Sequence, residues 1–99
     1  MQKIINLYKL KPGVRIEEFM KWSKEVDQKT VPQQKGVLNF EVYVVKGSNK
    51  KDSYQIMEVM EAESFELWQE ILQTDVMKNV LKQWDQFADG SSVVTYYGD

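Results

Sequence analysis

Ninety-nine residues make a single domain, residues 1–99, and 42% apolar with 12% aromatic residues let it bury a real core. Thirteen basic against fifteen acidic side chains leave a net charge of −2, no general field for a phosphate backbone, so nucleic acid is not an expected partner. With no Cys and no His, disulfides, thiolate nucleophiles, the commonest metal ligands and the commonest general base are excluded, and acid–base chemistry falls to carboxylates, Tyr or Lys.

The N-terminal KIINLYKLK is rich in β-branched and aromatic residues and stops at Pro12-Gly13, which predicts a first strand ending in a turn. A helix is expected from about Arg15 to Lys29, with Glu17 and Glu18 near its positive end and Pro32 forbidding its continuation. VLNFEVYVV, residues 37 to 45, and DSYQIMEVM, residues 52 to 60, flank the polar loop 46–51 and read as antiparallel neighbours. From Ser64 to Gln73 apolar residues recur at spacings of three and four. Thr74-Asp75 then resembles a fresh N-cap for a second run carrying Val76, Met77, Val80, Leu81, Trp84 and Phe87, which closes at Asp89-Gly90. SSVVTYY is the last strand. The order is βαββαβ, a ferredoxin-like α+β fold: a four-stranded antiparallel sheet with the helices on one face and the second helical region broken near Thr74.

Alternation assigns the sheet faces. In the second strand Leu38, Phe40, Val42 and Val44 form a row suited to helix packing, leaving Asn39, Glu41, Tyr43 and Val45 opposite. The expected register turns Met57, Val59, Ile5, Leu7, Val94 and Tyr96 toward the helices. It leaves Ile4, Asn6, Tyr8, Tyr54, Ile56, Glu58, Met60, Val93, Thr95 and Tyr97 on the helix-free face, and a slip of one residue would reverse this. That outer face is too apolar for a monomer in water, so a homodimer closed through the sheet face is expected.

The runs YKLKPGVRIEEFMKWSKEVDQKTVP, FEVYVV, YQIMEVMEAESFELW and FADGSSVV resemble the dimeric α+β barrel superfamily across essentially the whole chain. Within it, Trp22 and Asp27 followed by a Pro and FEVY are similar to RedY-like proteins associated with prodiginine pigment biosynthesis. The resemblance implies a small aromatic or heterocyclic ligand held in a cavity of each protomer. It also implies cofactor-independent chemistry of isomerase, cyclase or monooxygenase type in secondary metabolism. The absence of His departs from superfamily members that use it, which removes His-based proton transfer.

One residue stands out. Helical periodicity gathers Ile16, Phe19, Met20 and Val26 on one arc and puts Ser23, Asp27 and Thr30 inside the same arc, aiming a carboxylate at the core in the last turns of a helix, where the helix dipole disfavours an anion. Asp27 and Glu58 are therefore the candidate proton-transfer groups, and Trp22, Ser23, Asn6, Tyr8, Glu41 and Tyr43 the candidate ligand contacts. Glu41 and Glu58 are expected on the same face. The plainer alternative for Asp27 is a helix-end tether, hydrogen-bonded to Ser23, Thr30 or a backbone N–H. At the level of function the alternative is a noncatalytic ligand-binding or stress-responsive dimer. No stretch has the length of a signal peptide or a membrane span, so a cytoplasmic location without membrane association is expected.

Overall fold

The computed structural model describes residues 1–51 and 53–99, so Asp52, expected to open the third strand, lies outside the described residues. The elements in chain order are β1 (Gln2–Leu10), α1 (Ile16–Glu25), α2 (Asp27–Thr30), a 3-10 turn (Val31–Gln33), β2 (Val37–Val44), β3 (Ile56–Ala62), α3 (Phe65–Ile71), α4 (Asp75–Trp84) and β4 (Ala88–Gly98). The strands form one sheet in the order β2-β3-β1-β4 with every neighbouring pair antiparallel, the ferredoxin-like plan.

Local chemistry explains the ends of these elements. Gly13 turns the chain after β1 at a φ of +85°, a conformation that side chains with a Cβ resist. Ser64 caps α3 by accepting from the Leu67 N–H, and Thr74 caps α4 by accepting from the Met77 N–H, so the second helical region breaks where a capping hydroxyl restarts it. The region ends sooner than expected, at Trp84; Asp89 and Gly90 already belong to β4. The β2–β3 connection is longer than the expected polar loop, since β2 stops at Val44 and β3 starts at Ile56.

The first helix also differs from the single element expected. Val26 departs from helical geometry at φ −119° and ψ −74°: its N–H completes α1 on the Trp22 carbonyl, while its own carbonyl accepts from Thr30 at the end of α2. Asp27 thus opens a new turn instead of lying in the last turns of one helix, and the adverse dipole argument does not apply to it.

The sheet register is the main correction. Ile4, Tyr8, Ile56 and Met60 are each at most 1% exposed and belong to the core beneath the helices. Cross-strand partners share a face, and the pairs Ile4–Met60, Asn6–Glu58 and Tyr8–Ile56 therefore all point inward. β1, β3 and β4 are one residue out of step with the expectation, so Ile5, Leu7, Met57, Val59, Val94 and Tyr96 turn away from the helices. The assignment of β2 holds for Phe40, which is buried opposite Met60, and for Val42 opposite Glu58. It fails for Leu38, which is 58% exposed beside the register shift between Val37 and Asn39. The physical reason is that both rows of β1 and β3 are apolar enough to face a core, and the polar Asn6, Tyr8 and Glu58, which favoured the outer face, satisfy one another inside it.

Candidate functional site

Between the sheet and the helices lies a cavity of about 290 Å³. Its walls are apolar: Phe40 from β2, Phe65, Trp68 and the following Leu72 at α3, Met77, Val80, Leu81 and Trp84 from α4, with Val31 and Val93. Polar groups are gathered from five elements, namely Asn6 and Tyr8 of β1, Asp27 of α2, Glu58 of β3, Gln69 of α3 and Thr95 of β4. An apolar cleft with a few converging polar groups is the usual form of a small-ligand site.

Glu58 sits mid-sheet, 8% exposed, where its cross-strand partners are Asn6 and Val42. The Tyr8 hydroxyl donates to Glu58 Oε2 at 2.5 Å and Asn6 Nδ2 donates to Oε1 at 3.3 Å. Thr95 Oγ1 in turn donates to Asn6 Oδ1 at 2.7 Å. Burial raises the Glu58 pKa above the usual carboxylate value, and the bonds from Tyr8 and Asn6 oppose that rise. Burial and then the Glu58 charge push the Tyr8 hydroxyl above the usual phenol value, so it remains a proton donor in the bond. Trp84 stands edge-on to the Tyr8 ring with centroids 5.1 Å apart.

Asp27 is 3% exposed and accepts a hydrogen bond from Ser23 Oγ at 2.5 Å; Gln28 Nε2 donates to the same Ser23 oxygen at 3.0 Å. Desolvation raises the Asp27 pKa to about 7, Ser23 and the Gln28 backbone N–H pull it down, and the charge of Glu58 adds to the rise. Two buried carboxylates thus border one cavity, the charge of Glu58 makes Asp27 harder to ionise, and Asp27 titrates near neutrality. Among the described residues no group of three or more His, Cys, Asp or Glu side chains is placed to hold a metal.

The expected site residues separate into two sets. Asp27, Glu58, Asn6 and Tyr8 line the cavity, and Ser23 stands behind Asp27. Glu41 and Tyr43 do not join them. Glu41 pairs with Val59 across the strands while Val42 pairs with Glu58, which puts Glu41 on the opposite face from Glu58 and corrects the expectation that they share one. There, exposed, Tyr43 Oη donates to Glu41 Oε2 at 2.5 Å, and this bond, with one from Asn39, holds Glu41 below the usual carboxylate range. Trp22 is outside the cavity too. It packs against Phe19 and Phe87, with its indole N–H donating to Gln83 Oε1 at 2.9 Å.

Sequence reasoning missed Thr95, Trp84 and the apolar lining from α3 and α4. Helical spacing marked Met77, Val80, Leu81 and Trp84 as one inward face, but that pattern does not separate filling a core from walling a cavity.

The family model for REDY-like protein HapK matches residues 2–98. Among solved structures, HapK from Hahella chejuensis is 21% identical, with 100% of this chain and 91% of that chain covered at a TM-score of 0.83. A dimeric protein of unknown function with a ferredoxin-like fold from Bacteroides fragilis is 16% identical, with 99% and 94% covered at a TM-score of 0.70. An antibiotic biosynthesis monooxygenase is 15% identical, with 100% and 97% covered at a TM-score of 0.74. The comparison with curated proteins found no match. At these identities the structural likenesses carry the fold, and the match over nearly the whole length carries the family: the chain belongs to the REDY-like HapK proteins.

Proposed function

We propose that this chain binds a small aromatic or heterocyclic metabolite in the cavity and moves a proton on it without a metal or organic cofactor, as a step in secondary metabolism. The observation that carries the reading is Asp27, a buried carboxylate titrating at about 7 on the wall of an apolar cavity. A group with that pKa takes and returns a proton at neutral pH with little penalty in either direction. Ser23 holds one Asp27 oxygen, while Asn6, Tyr8 and Glu58 form a rigid second polar patch against which a ring is oriented. The aromatic faces of Phe65, Trp68 and Trp84 supply flat apolar walls for that ring. Chemistry of isomerase, cyclase or monooxygenase type fits this equipment, and a monooxygenase is among the structures that share the fold.

The protein acts as a homodimer in this reading. The helix-free sheet face presents Ile5, Leu7, Met57, Val59 and Val94, all half-buried in the lone chain, with Tyr43 and Tyr96 exposed beside them. A second copy closing on that face would bury it symmetrically. A noncatalytic binder is the second reading, and it draws on the way Tyr8, Asn6 and Glu58 already satisfy one another without a ligand.

Oxindole, a bicyclic carbon acid, separates the two. In D2O at pH 7 the wild type should accelerate exchange of the C3 proton, followed by NMR, and Asp27→Asn should lose on the order of 100-fold or more of that rate while still binding. Equal exchange rates in the two proteins with binding retained would leave a binder without chemistry.

A further inference from the structure

The hydrogen-bond directions around the cavity carry more than the presence of carboxylates. Each hydroxyl proton on the polar wall is engaged inside the protein: Thr95 donates to Asn6 and Tyr8 donates to Glu58, while behind the wall Ser23 donates to Asp27. The Trp84 indole, whose N–H is a donor only, stands edge-on to the Tyr8 ring and pulls the Tyr8 pKa down against the rise from burial. Asn6 gives one amide hydrogen to Glu58, leaving at most its second one spare. Gln69, the remaining amide on the lining, belongs to α3 and is exposed.

Acceptors are in surplus. An ionised carboxylate offers about four lone-pair sites. Glu58 uses one for Tyr8 and one for Asn6, and Asp27 uses one for Ser23 and one for the Gln28 backbone N–H. No Lys or Arg lines the cavity among the described residues, so nothing there offsets a negative charge.

We infer that this cavity selects a ring whose polar edge carries hydrogen-bond donors, N–H or O–H, neutral or cationic, and rejects rings of the same shape that offer only acceptors or a negative charge. This rests on the ligand-binding reading above and names the chemical class of its ligand. A donor edge fills the spare lone pairs of ionised Asp27. An acceptor edge meets carboxylate oxygens, and both sides then lose their water without gaining a bond.

The pH of the test follows from the groups that face one another here: Tyr8 from β1, Glu58 from β3 and Asp27 from α2, with no ionisable side chain on the lining from β2, α3, α4 or β4. At pH 8.5, above the Asp27 midpoint, its carboxylate is an acceptor only.

Indole, benzofuran and indole-2-carboxylate share one bicyclic frame and differ at the edge. Each is titrated into the full-length wild type at pH 8.5, with amide chemical shifts of the lining residues read by NMR. Indole should bind about tenfold tighter than benzofuran, the effect of one charge-assisted hydrogen bond, and indole-2-carboxylate should bind more weakly than indole. In Asp27→Asn, where an amide supplies donors, the indole-to-benzofuran ratio should fall below about threefold. Benzofuran or indole-2-carboxylate binding the wild type as tightly as indole overturns the donor-edge selection and leaves the cavity as a ligand site. If none of the three shifts any lining resonance, the ligand-binding reading falls and this inference with it. The wild-type comparison alone decides the matter should the variant fail to fold.

Discussion

Replacing Asp27 by Asn tests whether burial of this carboxylate is a cost that the fold carries. Its pKa rises from 3.8 to about 7 on folding. At about 1.4 kcal/mol per unit, the ionised form is disfavoured in the folded state by about 4 kcal/mol. The sign follows from proton counting. Between the two values the folded protein holds a proton that the unfolded chain has released, so stability falls as pH rises through this window and levels off above pH 7. From pH 5 to pH 8 the loss attributable to Asp27 is about 2–3 kcal/mol, and Glu58, shifted in the same direction, adds to it. Asn keeps the shape and an oxygen for the Ser23 hydroxyl but cannot ionise. Thermal melts followed by circular dichroism should therefore show the two proteins close together at pH 5. At pH 8 Asp27→Asn should be the more stable, by on the order of 10 °C at the usual conversion for a domain of this size. An Asn variant that melts lower than wild type at pH 8 by as much as at pH 5 would refute the reasoning. It would mark Asp27 as an ionised structural acceptor that ties α1 to α2.

Two further outcomes follow from the inward polar patch and the outer sheet face. Tyr8→Phe strips Glu58 of a 2.5 Å donor and should cost about 1–3 kcal/mol; thermal melts check it, and an unchanged melting temperature would show the bond to be dispensable. The wild type should sediment as a dimer at micromolar concentration and Met57→Lys as a folded 11.7 kDa monomer, whereas Ile56→Lys, one residue away but wholly buried under the helices, should not fold. A wild type that is itself an 11.7 kDa monomer there removes the dimer.

Much of the architecture was legible because its signals are local. Pro12-Gly13 ends β1, Thr74 restarts a helix through its own hydroxyl, and apolar residues at spacings of three and four mark the inward faces of α3 and α4; each depends on residues within a turn of one another. Asp27 was legible for the same reason, since helical spacing alone puts it beside Ser23 and Phe19 on the buried arc, and all three are buried. Its setting was not legible in the same way. The break at Val26 is not marked by a Gly or Pro, and it moves Asp27 from the end of one helix to the start of the next turn.

What the sequence by itself determined is the order of elements, the segment boundaries to within a few residues, and the presence of an inward carboxylate. Periodicity and capping act through the chain's own neighbours. Only the tertiary structure decided which row of each strand meets the helices. β1 carries Ile4, Tyr8 and Leu10 on one row and Ile5 and Leu7 on the other, so hydrophobicity is nearly balanced between them. The balance was tipped by contacts across the sheet. Asn6, Glu58 and Thr95 become neighbours only when β1 lies between β3 and β4, and with Asn6 and Tyr8 bonded to it Glu58 can be buried. Residues 52 and 89 positions apart in the chain thus turned a polar row inward and built the cavity wall, a partnership that no local pattern records.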